Sequence, residues 1–511
     1  MTAAQTVPHR GIIVLAVMMA TVMQVLDTTI VNVALPYVQG SLAVSQDMVV
    51  WVLTSYIAAA AVLTPATGFL SALWGRKQVY LLAVGGFTVA SILCGASQSI
   101  VEIVLFRVLQ GVFGAALVPL SQATMLDIYP VERHGEAMAI WGTGIMVGPI
   151  IGPTLGGYLT DLYSWRWVFY VNVPIGILAA VLIWIFVPRQ EKEEQQRSFD
   201  GIGFGFFCIA IFGLQVMLDR GETRDWLSHP EIKTELGIAI FGFYCYIVHA
   251  LTTQKQAFID LRLFKDRNLM LAVTSMFVVG LILYATLALL PPFLHEYMDY
   301  PVATAGLVLA PRGVGTFFAM MLVGRLVNRV DPRLLIFSGF CLSALSLWMM
   351  RWFDLEMGMI HVIRSGLVQG VGLGLLFVPL STMAFQTLDP QLRTDGSSLF
   401  TLLRNIGGSF GISIVQSVLT RRTQMHHQVL GEQINPYNPF MHPGLLPTLW
   451  NPFIPRGAAA LNAELTRQAG MFAYVDTFFL MMCLTIVAAF LAFTFDKPQG
   501  SAQDTSLSVM E

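Results

Sequence analysis

Charged side chains are scarce in this sequence. Asp, Glu, Lys and Arg make up 12% of the 511 residues, about half the usual share of a soluble domain. The net charge of −2 is close to balance, and the basic residues are scattered between apolar runs, which excludes a nucleic-acid partner. Cysteine is sparse too: Cys94, Cys208, Cys245, Cys341 and Cys483 are an odd number, all inside apolar runs. They read as small apolar filler, with neither a disulfide framework nor metal-ligand spacing. His426, His427 and His442 lack a carboxylate or cysteine at metal spacing and read as solvated loop residues. No G-x-x-x-x-G-K-[ST] loop occurs, so this chain holds no ATP-driven pump. Intramembrane histidine pairs and cysteine clusters are missing, which argues against a membrane enzyme or redox subunit. No catalytic residue, cofactor or metal is expected.

What the chain has is apolar length. Hydrophobic residues are 55% of it, in runs of about 20, each long enough to cross a bilayer core. Spans are expected near 11–36, 48–71, 78–97, 101–125, 136–160, 166–188, 201–219, 234–252, 268–292, 302–324, 333–352, 359–384, 397–420 and 471–494. That is an all-α membrane protein with 14 transmembrane helices, in which polar or aromatic residues interrupt only 201–219 and 234–252. With the N-terminus inside, inner loops and tails carry sixteen lysines and arginines and the short outer loops five, the bias of cytoplasmic loops. Both termini are therefore expected in the cytoplasm. The first apolar run is too long for a cleavable signal and lacks a small-residue cleavage site.

Residues 142–157 (GTGIMVGPIIGPTLGG) place Gly144, Gly148, Gly152 and Gly156 at four-residue intervals, with Pro149, Pro153 and Gly157 among them. On a helix such a repeat makes a slowly rotating bare stripe. The stripe admits another helix unusually close, and the prolines free backbone groups that neighbouring elements must satisfy. A single G-x-x-x-G is ordinary packing; four in series with two prolines point to a helix that bends and slides.

The chain also repeats itself. Val118–Ser121 (VPLS) recurs as Val378–Ser381 at an offset of 260, Gln110-Gly111 recurs as Gln369-Gly370 at 259, and Gly68–Lys77 has a counterpart at Gly324–Arg333 at 256. Three matches at nearly one offset indicate two six-helix bundles in the same orientation, the parallel repeat of one large transporter class. The expected layout is a first bundle at 1–190, a linker with two inserted helices at 191–266, a second bundle at 267–496 and a tail at 497–511. Segment 421–470 is expected to be an outer-face loop, too rich in proline and asparagine between Asn435 and Pro455 for long regular helix, while Ala458–Gln468 can form a short one.

Asp27 is the lone charge between Gly11 and Gln46. A carboxylate at lipid depth is costly, so it reads either as a proton-binding and coupling site or as a structural ion pair or helix cap. Arg107 lies about 9 Å inside the outer end of its helix and Asp27 about 13 Å. The two helices run oppositely, so the side chains share a depth. Arg107 is then a partner that stabilises Asp27 when deprotonated, or a purely structural hydrogen-bond hub. Gln24, Asn32 and Gln110 can extend a polar network or serve as packing glue. Arg312, Arg364 and Arg404 have no acid at helical spacing, and Arg404 is the candidate for contacting an anionic substrate. Trp51, Tyr56, Trp141, Met146 and Tyr284 fall in helices expected to line a cavity, where rings and thioethers suit promiscuous binding. For most such residues, lipid contact and helix packing are the competing reading.

With these residues in view, the chain resembles the fourteen-helix drug:proton antiporters of the major facilitator superfamily, the EmrB/QacA type. Leu26–Pro36 (LDTTIVNVALP) is similar to their first-helix motif, Leu105–Gly111 (LFRVLQG) to the fourth-helix arginine motif, and the 142–157 ladder to the fifth-helix antiporter motif. The loop motif keeps Gly68, Gly75, Arg76 and Lys77, but Ala72 and Leu73 replace its acidic and basic residues. Met425–His427 and Gln433–Pro439 resemble the EmrB-like branch. The resemblance implies proton-driven export of hydrophobic compounds from a bacterial inner membrane, with Asp27 and Arg107 in proton coupling. It also implies a periplasmic adaptor and an outer-membrane channel as partners. A single-component exporter, a symporter of the same fold and a passive channel are the alternatives.

Overall fold

The computed structural model describes residues 9–130, 133–188, 200–253, 258–327, 329–435, 438, 450 and 454–495. Arg189, Lys192, Arg197, Lys255, His442, Lys497 and the expected tail 497–511 lie outside them. All regular structure among the described residues is helical. Thirteen helices are long and apolar enough to span a bilayer, and a bent pair brings the number to fourteen.

The first half contains α1 (Arg10–Leu42), α2 (Trp51–Leu63 and Ala66–Trp74), α3 (Arg76–Ala96), α4 (Ile100–Gly114 and Leu117–Ile128), α5 (His134–Leu162) and α6 (Trp167–Tyr170 and Asn172–Phe186). Two further helices, α7 (Gly201–Arg220) and α8 (Pro230–Thr252), form the insertion. The second half contains α9 (Arg267–Pro292), α10 (Val302–Leu326), α11 (Pro332–Met350), α12 (Met359–Gln386), α13 (Arg393–Gly431) and α14 (Pro455–Ala489). Bare apolar side chains cover the outside: Leu251, Trp352, Val487 and Trp184 are each about two-thirds exposed or more, as expected where lipid is the solvent.

Local chemistry sets the ends. Ser99 caps α4, Asp200 caps α7, Asp266 caps α9 and Asp331, followed by Pro332, caps α11, each side chain accepting an otherwise orphaned N–H. Pro65 interrupts α2, whose two pieces bend by 58°. Gly75 links α2 to α3 with φ +85, a conformation that a side chain disfavours.

The inserted pair is a tight hairpin. Gly213 lies against the Ala239 backbone and Gly242 against Ala210, and Arg220 pairs with Glu231 at 2.6 Å. It docks on the second half through Gln215 and Ser409 (3.0 Å) and through Ser413, which donates to the Leu218 carbonyl at 2.7 Å.

The segment expected to be an irregular outer loop is largely helix. Helix α13 continues through Arg421 to Gly431, and α14 already begins at Pro455. Prolines gather only between 436 and 455, so the polar run 421–431 lacks hydropathy but nothing that breaks a helix. His426 is not simply solvated, since its Nε2 meets Asp476 at 2.9 Å. His427 contacts Asn462 at 3.1 Å.

Helix α5 makes one interface within the first half and another with the second. Helix α5 lays its glycine stripe along α1: a side chain at Gly144 would strike Met18, at Gly148 the Val25–Leu26 backbone at 2.7–2.9 Å, at Gly152 Thr29, and at Gly156 Ile30. Gly157 faces open space, outside this contact. The N-terminal end of α5 reaches the second half, where Gly135 abuts Val327 and Gly324 abuts Ala139. Close by, Asp127 of α4 pairs with Arg76 and also with Arg393 of α13 at 3.4 Å. Ser397 of α13 donates to the Pro119 carbonyl at 3.1 Å, and Gly68 sits beneath Asp395. The halves are thus closed at the end carrying the 68–77 loop.

Two outcomes follow from these contacts. Gly148→Ala, which meets backbone, is expected to destabilise the protein by about 1–3 kcal/mol, whereas Gly157→Ala is neutral or stabilising by up to ~1 kcal/mol. Thermal unfolding in lipid nanodiscs checks the pair, and equal effects at both sites would refute the interface. Asp127→Asn removes the pair with Arg393 that ties the halves, along with the pair with Arg76 inside the first half, worth about 0.5–1 kcal/mol at a partly exposed site. A cysteine replacing Ser397 should then label about 2- to 5-fold faster, and an unchanged rate would show that the ties do not hold this end shut.

Candidate functional site

Asp27 sits midway along α1 and Arg107 midway along the first piece of α4, and both are fully buried. Arg107 Nη1 donates to Asp27 Oδ2 at 2.6 Å. The other carboxylate oxygen accepts from Gln110 Nε2 at 2.9 Å and from Asn172 Nδ2 at 2.8 Å. All three partners are donors, a set that satisfies an ionised carboxylate and leaves no acceptor for a carboxyl O–H. The arrangement is therefore that of the deprotonated, arginine-paired state.

A second layer fixes the donors. Arg107 Nε donates to the Val52 carbonyl at 2.9 Å, and its Nη1 also meets Gln110 Oε1 at 2.6 Å. The guanidinium lies 4.2 Å from the Tyr56 ring centre, a cation–π contact strengthened by exclusion of water. Ser91 accepts from Gln110 and Asn172 at 3.2 and 3.0 Å and donates to the Phe169 carbonyl at 2.9 Å. The network joins α1, α2, α3, α4 and α6. Arg107 Nη2 and Asn172 Oδ1 stay enclosed without a partner, so the site is not saturated.

The glycine stripe abuts this site. Thr29, two residues beyond Asp27, brings its hydroxyl within 3.1 Å of the Gly148 carbonyl, a contact it shares with the Leu26 carbonyl of its own helix at 3.0 Å. The close helix contact and the buried carboxylate thus share one stretch of α1.

The remaining candidates do not converge on one place. Gln24 reaches Tyr56 Oη at 3.1 Å and so touches the edge of the network. Asn32 is exposed and donates to Thr28 on its own helix. Trp51 lies 5.9 Å from the Arg220 guanidinium, at the insertion. Trp141 is fully buried, donates to Ser121 at 2.7 Å and packs on Phe377 of the second half. Met146 is core, and Tyr284 is packed beneath Gly408. Arg404 is 6% exposed with one long contact, to Asn405 at 3.5 Å, while Arg364 is exposed. In the loop motif, Arg76 grips Asp127 and Lys77 lies on the first turn of α3. No cluster of three or more potential metal ligands occurs among the described residues.

Asn172 and Ser91 were not singled out by the sequence. Each is one polar residue in an apolar run, a pattern shared with many packing residues. The one available signal for Asn172 is its place at the break between Tyr170 and the second piece of α6, where polar side chains concentrate.

Comparison with known proteins accords with this architecture. The chain is 35% identical to the fatty acid resistance protein FarB of Neisseria gonorrhoeae over 430 residues, 84% of this chain and 85% of that protein. It is equally identical to the multidrug export protein EmrB of Escherichia coli K12, over 84% of each chain. Its fold is similar to that of the proton:xylose symporter XylE, with a TM-score of 0.61 at 12% identity over 95% of this chain and 96% of the other. At that identity the likeness concerns the fold alone. The model of the Major Facilitator Superfamily matches residues 17–412. This multi-pass membrane protein belongs to the Major Facilitator Superfamily, in its EmrB-like branch, and is a transporter rather than an enzyme.

Proposed function

We propose that the chain exports hydrophobic and amphipathic toxic compounds in exchange for protons, by alternating access, from a bacterial inner membrane with both termini in the cytoplasm. The multidrug export protein and the fatty acid resistance protein among its relatives support the substrate class. The observation that carries the exchange is the dry Asp27–Arg107 pair on the stretch of α1 that α5 packs against through glycine.

The chemistry runs through charge. A proton arriving at Asp27 removes the negative charge and turns one acceptor oxygen into a donor. Arg107 Nη1, Gln110 and Asn172 then face a group they no longer all fit. The guanidinium retains Val52, Gln110 and the Tyr56 ring, so it stays buried while its grip on α1 weakens. Release of α1 from α4 changes the surface on which α5 rests, and the small stripe permits sliding without large side chains being forced past one another. Deprotonation re-forms the pair and returns the bundle to the present state. Protonation thereby biases a two-state element, as a coupled exporter requires.

Asp27→Asn tests this. The amide is nearly isosteric and carries no titrating proton, so the protein is expected to fold and insert while ligand-induced proton release from the purified protein vanishes. Undiminished release would place the coupling acid elsewhere.

The partner reading concerns the outer end. Helices α13 and α14 run 39 and 35 residues, whereas about 20 cross the bilayer core. Their extensions form a helical projection in which a side chain added at Gly431 would meet Leu465 at 3.8 Å, a shape suited to docking a periplasmic adaptor that leads to an outer-membrane channel. Replacing residues 428–466 by a short flexible linker should spare substrate binding yet abolish cellular resistance and co-purification with the adaptor. Full resistance in such cells would make this a single-component pump.

A further inference from the structure

The halves match in packing but differ in chemistry. A side chain at Gly111 of α4 would meet the Tyr56 carbonyl of α2 at 2.5 Å, and one at Gly370 of α12 would likewise meet the Arg312 carbonyl of α10. The offset of 256 that relates the loops carries Tyr56 to Arg312, and the offset of 259 that relates the glutamines carries Asp27 to Thr286 and Arg107 to Gly366. In the second half the arginine has thus moved to the place of the tyrosine, glycine fills the place of the arginine, and the acid is gone.

The consequence is a buried cation without a counter-ion. Arg312 is 7% exposed and makes no ion pair among the described residues. Its Nη2 donates to the Leu283 carbonyl at 3.3 Å and to Thr286 Oγ1 at 3.2 Å, long bonds to neutral acceptors. Gln369 Nε2 approaches the same hydroxyl at only 3.4 Å, and its Oε1 is enclosed with no partner. Gly366 stands at the base of the Arg312 side chain, where an added side chain would make only ordinary contact, with Arg312 Cβ at 3.6 Å, so no side chain of α12 fills the place that Arg107 takes in the first half. A buried guanidinium is costly unless an anion meets it, and the first half shows what the missing group is: the carboxylate of Asp27.

The geometry points to an anion subsite at Arg312, Thr286 and Gln369. There the organic oxyanion of an amphipathic substrate, a carboxylate or phenolate, takes the place that Asp27 holds in the first half. Arg312 supplies the charge and the Gln369 amide a neutral donor, while Thr286, whose hydroxyl donates to the Ile282 carbonyl of its own helix, accepts from both and holds them at the position an acid takes in the first half. This subsite rests on the transport reading above and adds selectivity for one sign of charge.

The test uses two amphiphiles with matched tails and opposite heads, hexylbenzoate and hexylphenyltrimethylammonium, titrated onto the full-length protein in nanodiscs. Arg312→Gln should weaken hexylbenzoate binding roughly 10- to 100-fold, the range for losing a charged hydrogen bond, and leave the cation within about twofold of wild type. Thr286→Asp should produce the same selective loss by filling the subsite with the protein's own carboxylate, and it decides the matter should Arg312→Gln fail to fold. A parallel loss for both amphiphiles, as a purely structural role of Arg312 predicts, would overturn the subsite. So would unchanged hexylbenzoate binding in Thr286→Asp, while leaving the transport reading intact. Wild-type protein that binds neither amphiphile would overturn both.

Discussion

Everything central to the first half depends on keeping one carboxylate charged in a place without water. Asp27 and Arg107 are both fully buried and meet at 2.6 Å. Burying two ions costs more than their attraction returns unless further hydrogen bonds satisfy what remains, and deleting one partner from such a pair typically costs about 3–5 kcal/mol. Here the further bonds come from α4 itself and from three other helices. Val52 on α2, Ser91 on α3, Gln110 on α4 and Asn172 on α6 each spend a polar group on the pair or its partners. The pair therefore fixes a cluster of five helices and makes their common geometry sensitive to a single proton.

Helix α5 is the member of the first half that gives no side chain to this network among the described residues. It touches the cluster through bare glycines and the bond from Thr29 to the Gly148 carbonyl, and it touches the second half through Gly135, Gly142 and Trp141. A helix held to one side by backbone proximity, and to the other by glycines and the single large contact of Trp141 with Phe377, has few interlocking side chains to unlock. This division of labour, a polar hub that switches and a smooth helix that transmits, is what the arrangement offers physically. The second half lacks a comparable hub, since Thr286 stands where an acid would complete it.

Much of this was legible in the sequence, and the reasons are specific. Apolar runs of bilayer length gave the fourteen spans because hydropathy over 20 residues is a strong signal, and even the interrupted runs 201–219 and 234–252 are helices. The shared depth of Asp27 and Arg107 followed from counting rise along two antiparallel helices, and the two side chains do meet. Asn172 and Ser91 were invisible because a lone polar residue in an apolar helix carries no periodicity. Trp141 was assigned to a cavity wall from its helix alone, whereas its rotation buries it between Ser121 and Phe377. The extension past 421 escaped notice, and before 471 only a short helix over Ala458–Gln468 was expected, because hydropathy reports lipid contact and a helix that leaves the bilayer stops giving that signal.

The altered loop motif shows how the same physics is met by other residues. Ala72 and Leu73 stand where the resemblance leads one to expect an acid and a base, so the loop cannot carry its usual internal charge pairing. Arg76 is nevertheless paired, with Asp127 from the inner end of α4, and the same carboxylate reaches Arg393 on α13. Moving the acid from the loop to α4 changes what it can do. An acid at position 72 would have sat on α2, whereas Asp127 lies on the same helix as Arg107, 20 residues on. In the proposed exchange, movement of α4 relative to α1 on protonation of Asp27 would reach the cross-tie between the halves along one helix. On this geometry the loss of charge at 72 and 73 does not disconnect the closure from the proton site; it places both on α4.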